Sequence, residues 1–329
     1  MTWVIFFGAS ALIVLVAGKL ADFGDAIAIR TGLGRMFIGM LLLAAATSLP
    51  ELLTTINSIR IGVPNLAAGN LLGSNMFNMF LLAIIDLAFF RQRLLRGAAM
   101  RHALSGSLTM LMIGLVLFFI SANIDLRIGW VGIDSLLVIG FYVVAIYLLQ
   151  KEAGAAPAST PKEDGDLTGV PSLLKAVIGF ALATLALVII TPYLVRSANE
   201  IAVITGLGAT FVGTALVATV TSLPELVATI AAVRIGASDM AIGNLFGSNL
   251  FNMFALGLAD VFFTQGRFLA VIDPAFLMVG LLGLVMTGMG LVGNLARLER
   301  RFLFIEIDAL MLILTYIAGM WLLYSRGIG

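Results

Sequence analysis

The sequence contains no cysteine and a single histidine, His102. Disulfides, thiolate nucleophiles and Cys-based metal sites are therefore excluded. Charge is also scarce: 11% of the 329 residues are Asp, Glu, Lys or Arg, and the formal net charge is +1. So small and balanced a charge provides no basic tract or aromatic platform for nucleic acid. His102 stands near Arg93, Arg96 and Arg101 and is expected at the surface of a connecting loop. Hydrocarbon fills the place of charge, with 61% hydrophobic residues and a mean hydropathy of +1.11. A soluble domain of this length could not solvate that surface, so the chain is an integral membrane protein with the lipid bilayer as its partner.

Apolar runs of about 20 residues mark membrane-crossing helices. Ten are expected, at roughly 3–22, 33–58, 64–88, 99–121, 129–150, 172–195, 207–232, 238–263, 270–292 and 303–325. Met1 to Val16 lacks the positive flank of a signal peptide and is read as the start of the first span. The polar stretch Lys151 to Gly169, rich in Pro, Gly and charge, reads as a linker. Its acids Glu163, Asp164 and Asp166 do not follow the EF-hand spacing. The expected domains are residues 1–150, a cytoplasmic linker over 151–170, and residues 171–329. Fourteen Lys and Arg residues fall in the connections after odd-numbered spans and five on the other side. The positive-inside rule then puts the odd-numbered connections in the cytoplasm and both termini on the extracytoplasmic side; the expected location is the plasma (cell inner) membrane.

Two motifs recur at a fixed offset of 174 residues. Ala44 to Glu51 reads A-A-A-T-S-L-P-E, and Ala218 to Glu225 reads A-T-V-T-S-L-P-E. Gly69 to Asn78, G-N-L-L-G-S-N-M-F-N, returns as Gly243 to Asn252, G-N-L-F-G-S-N-L-F-N. Arg127, Asp134 and Tyr142 likewise return as Arg301, Asp308 and Tyr316. A constant offset through five spans indicates duplication. Because five is odd, the second copy must enter the membrane upside down, giving an all-α fold of two inverted five-helix repeats with a shared midplane site.

The polar residues of these motifs carry the chemistry. Pro50 and Pro224 lack an N–H and crowd the carbonyls of Ala46 and Val220, so each helix should break there. Thr47 and Glu51 share a helix face, as do Ser74 and Asn78; Thr221, Glu225, Ser248 and Asn252 repeat the pattern. An ionised Glu near the bilayer centre costs about 2.5–3.5 kcal/mol or more. Two facing glutamates also repel, unless a proton or a cation intervenes. Oxygen ligands without His or Cys select Na⁺, Ca²⁺ or Mg²⁺ over transition metals. Two bidentate carboxylates with two hydroxyls or carbonyls give about six oxygens, within the Ca²⁺ range of about 6–8. Asn70 and Asn244 are expected to crosslink helices, and Gly69, Gly73, Gly243 and Gly247 to allow close helix approach. Asp86, Asp260, Asp134 and Asp308 are read as structural.

At these residues the chain resembles the Ca²⁺/cation antiporter superfamily, in its Na⁺/Ca²⁺ exchanger branch of prokaryotic type with two α-repeats. The resemblance rests on both T-S-L-P-E and both G-N-x-x-G-S-N motifs, and the helix count extends it over the whole chain. It implies four ion sites between spans 2, 3, 7 and 8, with Ca²⁺ and Na⁺ as transported ions and no cofactor. By this likeness Glu51 and Glu225 bind Ca²⁺ and share Na⁺, assisted by Thr47 and Thr221. Ser48, Ser74 and Asn78 would complete one Na⁺ site, and Ser222 and Ser248 its mirror. Asn252 stands where the family often has Asp, which leaves two formal charges at the site rather than three. Carbonyls of Ala44 and Ala218 would add ligands, and spans 1 and 6 would form a sliding gate. The implied protein is no enzyme but an antiporter exporting Ca²⁺ by alternating access, expected as a monomer. An H⁺/Ca²⁺ exchanger of the same fold is the alternative, although its G-N-x-x-E is absent because Gly73 and Gly247 hold that position. A passive cation channel using the same acids is a further alternative. An intramembrane protease is disfavoured, since the sole His102 falls in a loop with no Ser–His pair and no G-x-G-D motif occurs.

Overall fold

The computed structural model describes residues 1–89, 102–155, 169–204, 218–296, 301–302 and 305–326. Helix α1 runs over Thr2–Thr31. A broken helix follows: α2 (Arg35–Ile38), a π-helical turn (Gly39–Leu43), α3 (Ala44–Thr47) and α4 (Leu49–Arg60). Next come α5 (Pro64–Ala88), α6 (Ala103–Ala122), a hairpin of β1 (Arg127–Ile128) and β2 (Val131–Gly132), and α7 (Ile133–Ala155). The rest comprises α8 (Leu173–Ile204), α9 (Leu223–Arg234), α10 (Ser238–Phe262), α11 (Phe268–Val271), α12 (Phe276–Ala296), a hairpin of β3 (Arg301–Phe302) and β4 (Ile305–Glu306), and α13 (Ile307–Ser325). Eight helices among the described residues are long and apolar enough to cross a membrane. The first part of the expected seventh span, most of the linker, and Arg93, Arg96 and Arg101 lie outside the described residues.

The 174-residue offset holds for structure as well as sequence. It relates α4 to α9, α5 to α10, β1 and β2 to β3 and β4, and α7 to α13, residue for residue at their starts. Helices α5 and α10 form the centre, with 72% and 78% of their apolar windows buried. The corresponding share is 17–28% for α1, α7, α8 and α13, whose large apolar side chains face outward as lipid requires.

Backbone approach at the centre depends on glycine. A Cβ on Gly243 would lie 2.7 Å from the Met36 carbonyl oxygen, and one on Gly247 would lie 2.7 Å from Met40 Cα. The facing side of this crossing is the π-helical turn, a distortion the sequence pattern did not announce. It inserts an extra residue into the helical ladder where the backbone presses on α10. Helix α1 buries Ala9, Ile13, Ala17, Ala21 and Gly24, a mostly small-residue stripe in steps of about one turn, and packs beside α8 and α9.

Several boundaries differ from those expected. Helix α1 continues nine residues past 22, because Lys19 pairs with Asp22 and Asp25 with Arg35, so charge does not end the helix. Gly32 ends it in the left-handed conformation, φ 70°, donating its N–H to Ala28. Helix α7 runs one turn into the expected linker. Arg30 clamps the far end of that linker, donating to the Val170 and Pro171 carbonyls at 2.6 and 3.0 Å. The expected ninth span is divided at Ile272–Ala275, where Pro274 follows Asp273 and the Asp273 carboxylate accepts the Ala275 N–H at 2.8 Å. His102 is fully buried rather than on the surface; it precedes α6 and lies 3.5 Å from Asp239 in the first turn of α10.

Three of the four aspartates read as structural tie backbone together. Asp134 and Asp308 occupy first helical turns, where each caps the N–H of the next residue. Asp134 also holds buried Arg267 at 2.7 Å. Asp260 accepts the Gly132 N–H at 2.6 Å and the Phe268 N–H, tying the hairpin and α11 to the end of α10. Gly247→Val should lower the thermal unfolding midpoint of the detergent-purified protein, because overpacking this crossing costs about 1–3 kcal/mol. An unchanged midpoint would show that the crossing has more room than the structure gives it.

Candidate functional site

The two T-S-L-P-E segments break as proline demands, but the break falls at the serine. Ser48 (φ −91°, ψ 2°) closes α3, and Pro50 is the second residue of α4. Ser222 (φ −83°, ψ 9°) precedes α9 in the same way, with Pro224 second. Each glutamate therefore sits in the first turn of a new helix, where the positive end of the dipole favours a carboxylate. Both breaks lie deep in the protein, since Thr47, Ser48, Thr221 and Ser222 are fully buried and Glu51 and Glu225 are each 1% exposed.

The two segments meet by exchange. Ser48 donates to Glu225 Oε1 at 2.8 Å, and Ser222 donates to Glu51 Oε1 at 3.2 Å. The Ser74 hydroxyl of α5 lies 3.2 Å from that of Ser222. Thr47 lies 3.3 Å from Asn244 Oδ1, and Thr221 donates to Asn70 Oδ1 at 3.1 Å. Asn70 and Asn244 extend their amides to the carbonyls of Glu51 and Glu225, each at 3.4 Å. These asparagines thus crosslink helices, as expected.

A second tier lies on α5 and α10. Asn78 Nδ2 donates to Asn249 Oδ1 at 2.9 Å, and Asn252 Nδ2 donates to Asn75 Oδ1 at 3.1 Å. Asn75 and Asn249 also reach each other's carbonyl oxygens, at 3.5 and 3.3 Å. Sequence reasoning quoted Asn75 and Asn249 within the motif but gave them no role. Their positions three residues before Asn78 and Asn252 were the available signal. They occupy the amide nitrogens of Asn78 and Asn252 and so fix which way each oxygen points.

Five buried oxygens in this arrangement accept or donate no hydrogen bond: Glu51 Oε2, Glu225 Oε2, Asn78 Oδ1, Asn252 Oδ1 and Ser248 Oγ. Among the described residues no basic side chain pairs with either glutamate. A carboxylate in such surroundings needs a proton or a cation, because burial without compensation is costly. Four of these five atoms are pure acceptors, as a hard cation requires. Ala44 and Ala218 lie at the same level; their carbonyls accept the Ser48 and Ser222 N–H groups at 2.9 and 3.1 Å. All twelve residues expected at the site therefore lie on the two broken segments and the facing stretches of α5 and α10.

A cleft of about 370 Å³ runs between α4 and α8 and has Pro50, the residue before Glu51, in its wall. The site itself is closed, given the burial of both glutamates.

The comparisons bear on this geometry. The solved sodium-calcium exchanger NCX_Mj soaked with 2.5 mM Na⁺ and 0.1 mM Sr²⁺ superposes with a TM-score of 0.68 over 98% of this chain and 99% of that one, at 19% identity. The two proteins thus share a fold. The inner membrane protein YrbG of Escherichia coli is 29% identical over 266 residues, 80% of this chain and 79% of that protein. The sodium/calcium exchanger MaX1 of Methanosarcina acetivorans is 42% identical over 90 residues, 27% of this chain and 26% of that protein. The family model described as "Sodium/calcium exchanger protein" matches residues 1–150 and 175–325, and with that match covering most of its length the chain belongs to this family of Ca²⁺/cation antiporters.

Proposed function

We propose that the protein exports Ca²⁺ in exchange for Na⁺ by alternating access, through a site whose ligands are the twelve residues described above. The observation that carries this reading is the crossed pair of serine–glutamate bonds, with an unpartnered oxygen on each carboxylate and, among the described residues, no basic side chain paired with either. Two carboxylates supply a charge of −2, which one Ca²⁺ neutralises. The same cage can be divided among Na⁺ ions, because Ser48, Ser74, Ser222 and Ser248 add neutral oxygens on either side. Exchange of three Na⁺ for one Ca²⁺ moves one net charge, which makes the cycle electrogenic.

The architecture proposed is ten spanning helices in two inverted five-helix repeats, residues 1–150 and 171–329. The paired elements at the 174-residue offset support it, as do the two family-model matches, which start at residues 1 and 175. Inversion puts the two half-helix N-termini at one midplane site from opposite directions. Helices α1 and α8 would move as the gate; the small-residue stripe of α1 gives it a shallow surface to slide on. With the basic connections inside, the protein lies in the plasma membrane as a monomer with both termini extracytoplasmic, and the α4–α8 cleft opens toward the extracytoplasmic side.

In proteoliposomes loaded with Na⁺, external Ca²⁺ should accumulate, and faster when valinomycin and K⁺ clamp the potential. Uptake indifferent to the Na⁺ gradient but driven by a pH gradient would establish the proton-coupled alternative instead. Replacing Glu51→Gln or Glu225→Gln should weaken calorimetric Ca²⁺ binding by about a hundredfold or more, equivalent to about 2.7 kcal/mol. Asp260→Asn, which disturbs the ties of the hairpin and α11 to α10, should leave that affinity unchanged. Undiminished binding in either glutamate variant would refute the site assignment.

A further inference from the structure

The duplicated segments around the site are nearly identical in sequence, yet the two copies do not make the same bonds. Thr229 lies one turn beyond Glu225 on α9, and Thr55 lies one turn beyond Glu51 on α4, at the same 174-residue offset. Both are buried, at 1% and 0% exposure. Asn244 of α10 donates its amide to the Thr229 hydroxyl at 3.0 Å while reaching the Glu225 carbonyl at 3.4 Å. Its counterpart, Asn70 of α5, reaches the Glu51 carbonyl at the same 3.4 Å but makes no bond to Thr55, whose hydroxyl has no partner among the described residues. The serines differ in the opposite sense. Ser74 and Ser222 are bonded at 3.2 Å, whereas the equivalent pair, Ser248 and Ser48, is not, and the Ser248 hydroxyl has no partner among the described residues.

The packing outside differs in step with these bonds. Helix α1 packs beside α8 and α9 and buries Ala17 and Ala21 completely. Their counterparts on α8, Thr191 and Val195, line the cleft beside α4, together with Val188. The asparagine–threonine bond is thus made in the half that α1 covers and absent in the half that the cleft enters. A buried hydroxyl left without a partner is unfavourable. Thr55 regains one when α4 takes, against α5, the position that α9 holds against α10.

We propose that Thr55 and Thr229 are positioning residues of the exchange cycle, each forming with its asparagine a latch that fixes one half-helix against its neighbour, and that one latch is closed at a time. The proposal rests on the alternating-access reading above and adds to it the bonds that distinguish its two states. In the state seen here the Asn244–Thr229 latch is closed and the Asn70–Thr55 latch is open. In the opposite state Asn70 donates to Thr55, α4 closes toward α8, and Asn244 releases Thr229. In a protein of two inverted repeats, exchanging the conformations of the halves generates the opposite facing. Neither threonine needs to touch an ion. Thr229 acts through Asn244, whose Oδ1 lies 3.3 Å from Thr47 Oγ1, and Thr55 acts through Asn70, whose Oδ1 accepts the Thr221 hydroxyl at 3.1 Å. Each latch therefore reaches a site residue on the other half, so that closing one bears on the other through a contiguous set of bonds.

The absence of cysteine makes thiol labelling the direct test. Val188→Cys places the sole thiol in the cleft wall, and Ala17→Cys places it in the buried stripe of α1. The detergent-purified proteins are treated with a charged, water-soluble maleimide in choline buffer without Na⁺ or Ca²⁺. The cleft thiol should react fast and the α1 thiol slowly. Adding Thr229→Val, which removes the closed latch, should slow the first by about threefold or more and speed the second by a similar factor. Thr229→Ala removes the same bond and should repeat that result, while Thr229→Ser, which keeps the hydroxyl, should match the parent. Thr55→Val alone should not slow the cleft thiol, and adding it to Thr229→Val should restore the parent rates. Unfolding midpoints near wild type confirm folded variants. Rates indifferent to Thr229→Val, slowing of the cleft thiol by both valine substitutions alike, faster reaction of both thiols, or a double variant no different from Thr229→Val would overturn the latch. With no transported ion present, those results leave the Na⁺/Ca²⁺ assignment untouched; Na⁺-driven uptake by the wild type tests it separately.

Discussion

Two buried carboxylates, joined through crossed serine bonds and with no cationic side chain paired to either among the described residues, constrain everything else in this molecule. Each uncompensated charge at membrane depth costs about 2.5–3.5 kcal/mol or more, and their mutual repulsion adds to that. The protein partly offsets this with the dipole of a helix that starts just before each acid and with one serine hydroxyl from the opposite segment. That compensation is incomplete: one oxygen on each glutamate has no partner. A pair of buried acids left short of positive charge needs a proton or a cation to offset it.

The surroundings serve to hold this unfavourable arrangement together. Serine can reach across only because each helix breaks at the residue before the Leu-Pro pair. The broken segment can lie against α10 only because Gly243 and Gly247 have no side chain where Met36 and Met40 press in. The tier formed by Asn75, Asn78, Asn249 and Asn252 satisfies amide nitrogens and leaves oxygens facing inward. Outside this centre, α1 and α8 bury little of their surface.

Much of this was legible in the sequence, for physical reasons. Hydrocarbon thickness fixes span length, so long apolar runs located the helices. An intramembrane acid is too costly to be incidental, so Glu51 and Glu225 stood out, and the duplication supplied their partners. Other features depend on contacts remote in sequence. The π-helical turn answers the close approach of α10, and nothing in G-M-L-L-L announces it. Burial of His102 depends on Asp239, more than a hundred residues away, whereas its arginine neighbours suggested a surface. Charges at Lys19, Asp22 and Asp25 resembled a helix end, but ion pairing lets α1 continue to Gly32. The orienting role of Asn75 and Asn249 was partly visible in their spacing and became plain only when two helices faced each other.

The central claim is that one divalent ion is held by both carboxylates at once. Crystals of the protein soaked in Sr²⁺ and measured for anomalous scattering address it directly. The account predicts a single strong peak within about 2.6 Å of oxygens from both Glu51 and Glu225, a distance typical of hard divalent ions. Peaks bound to only one glutamate, or located away from both, would contradict it.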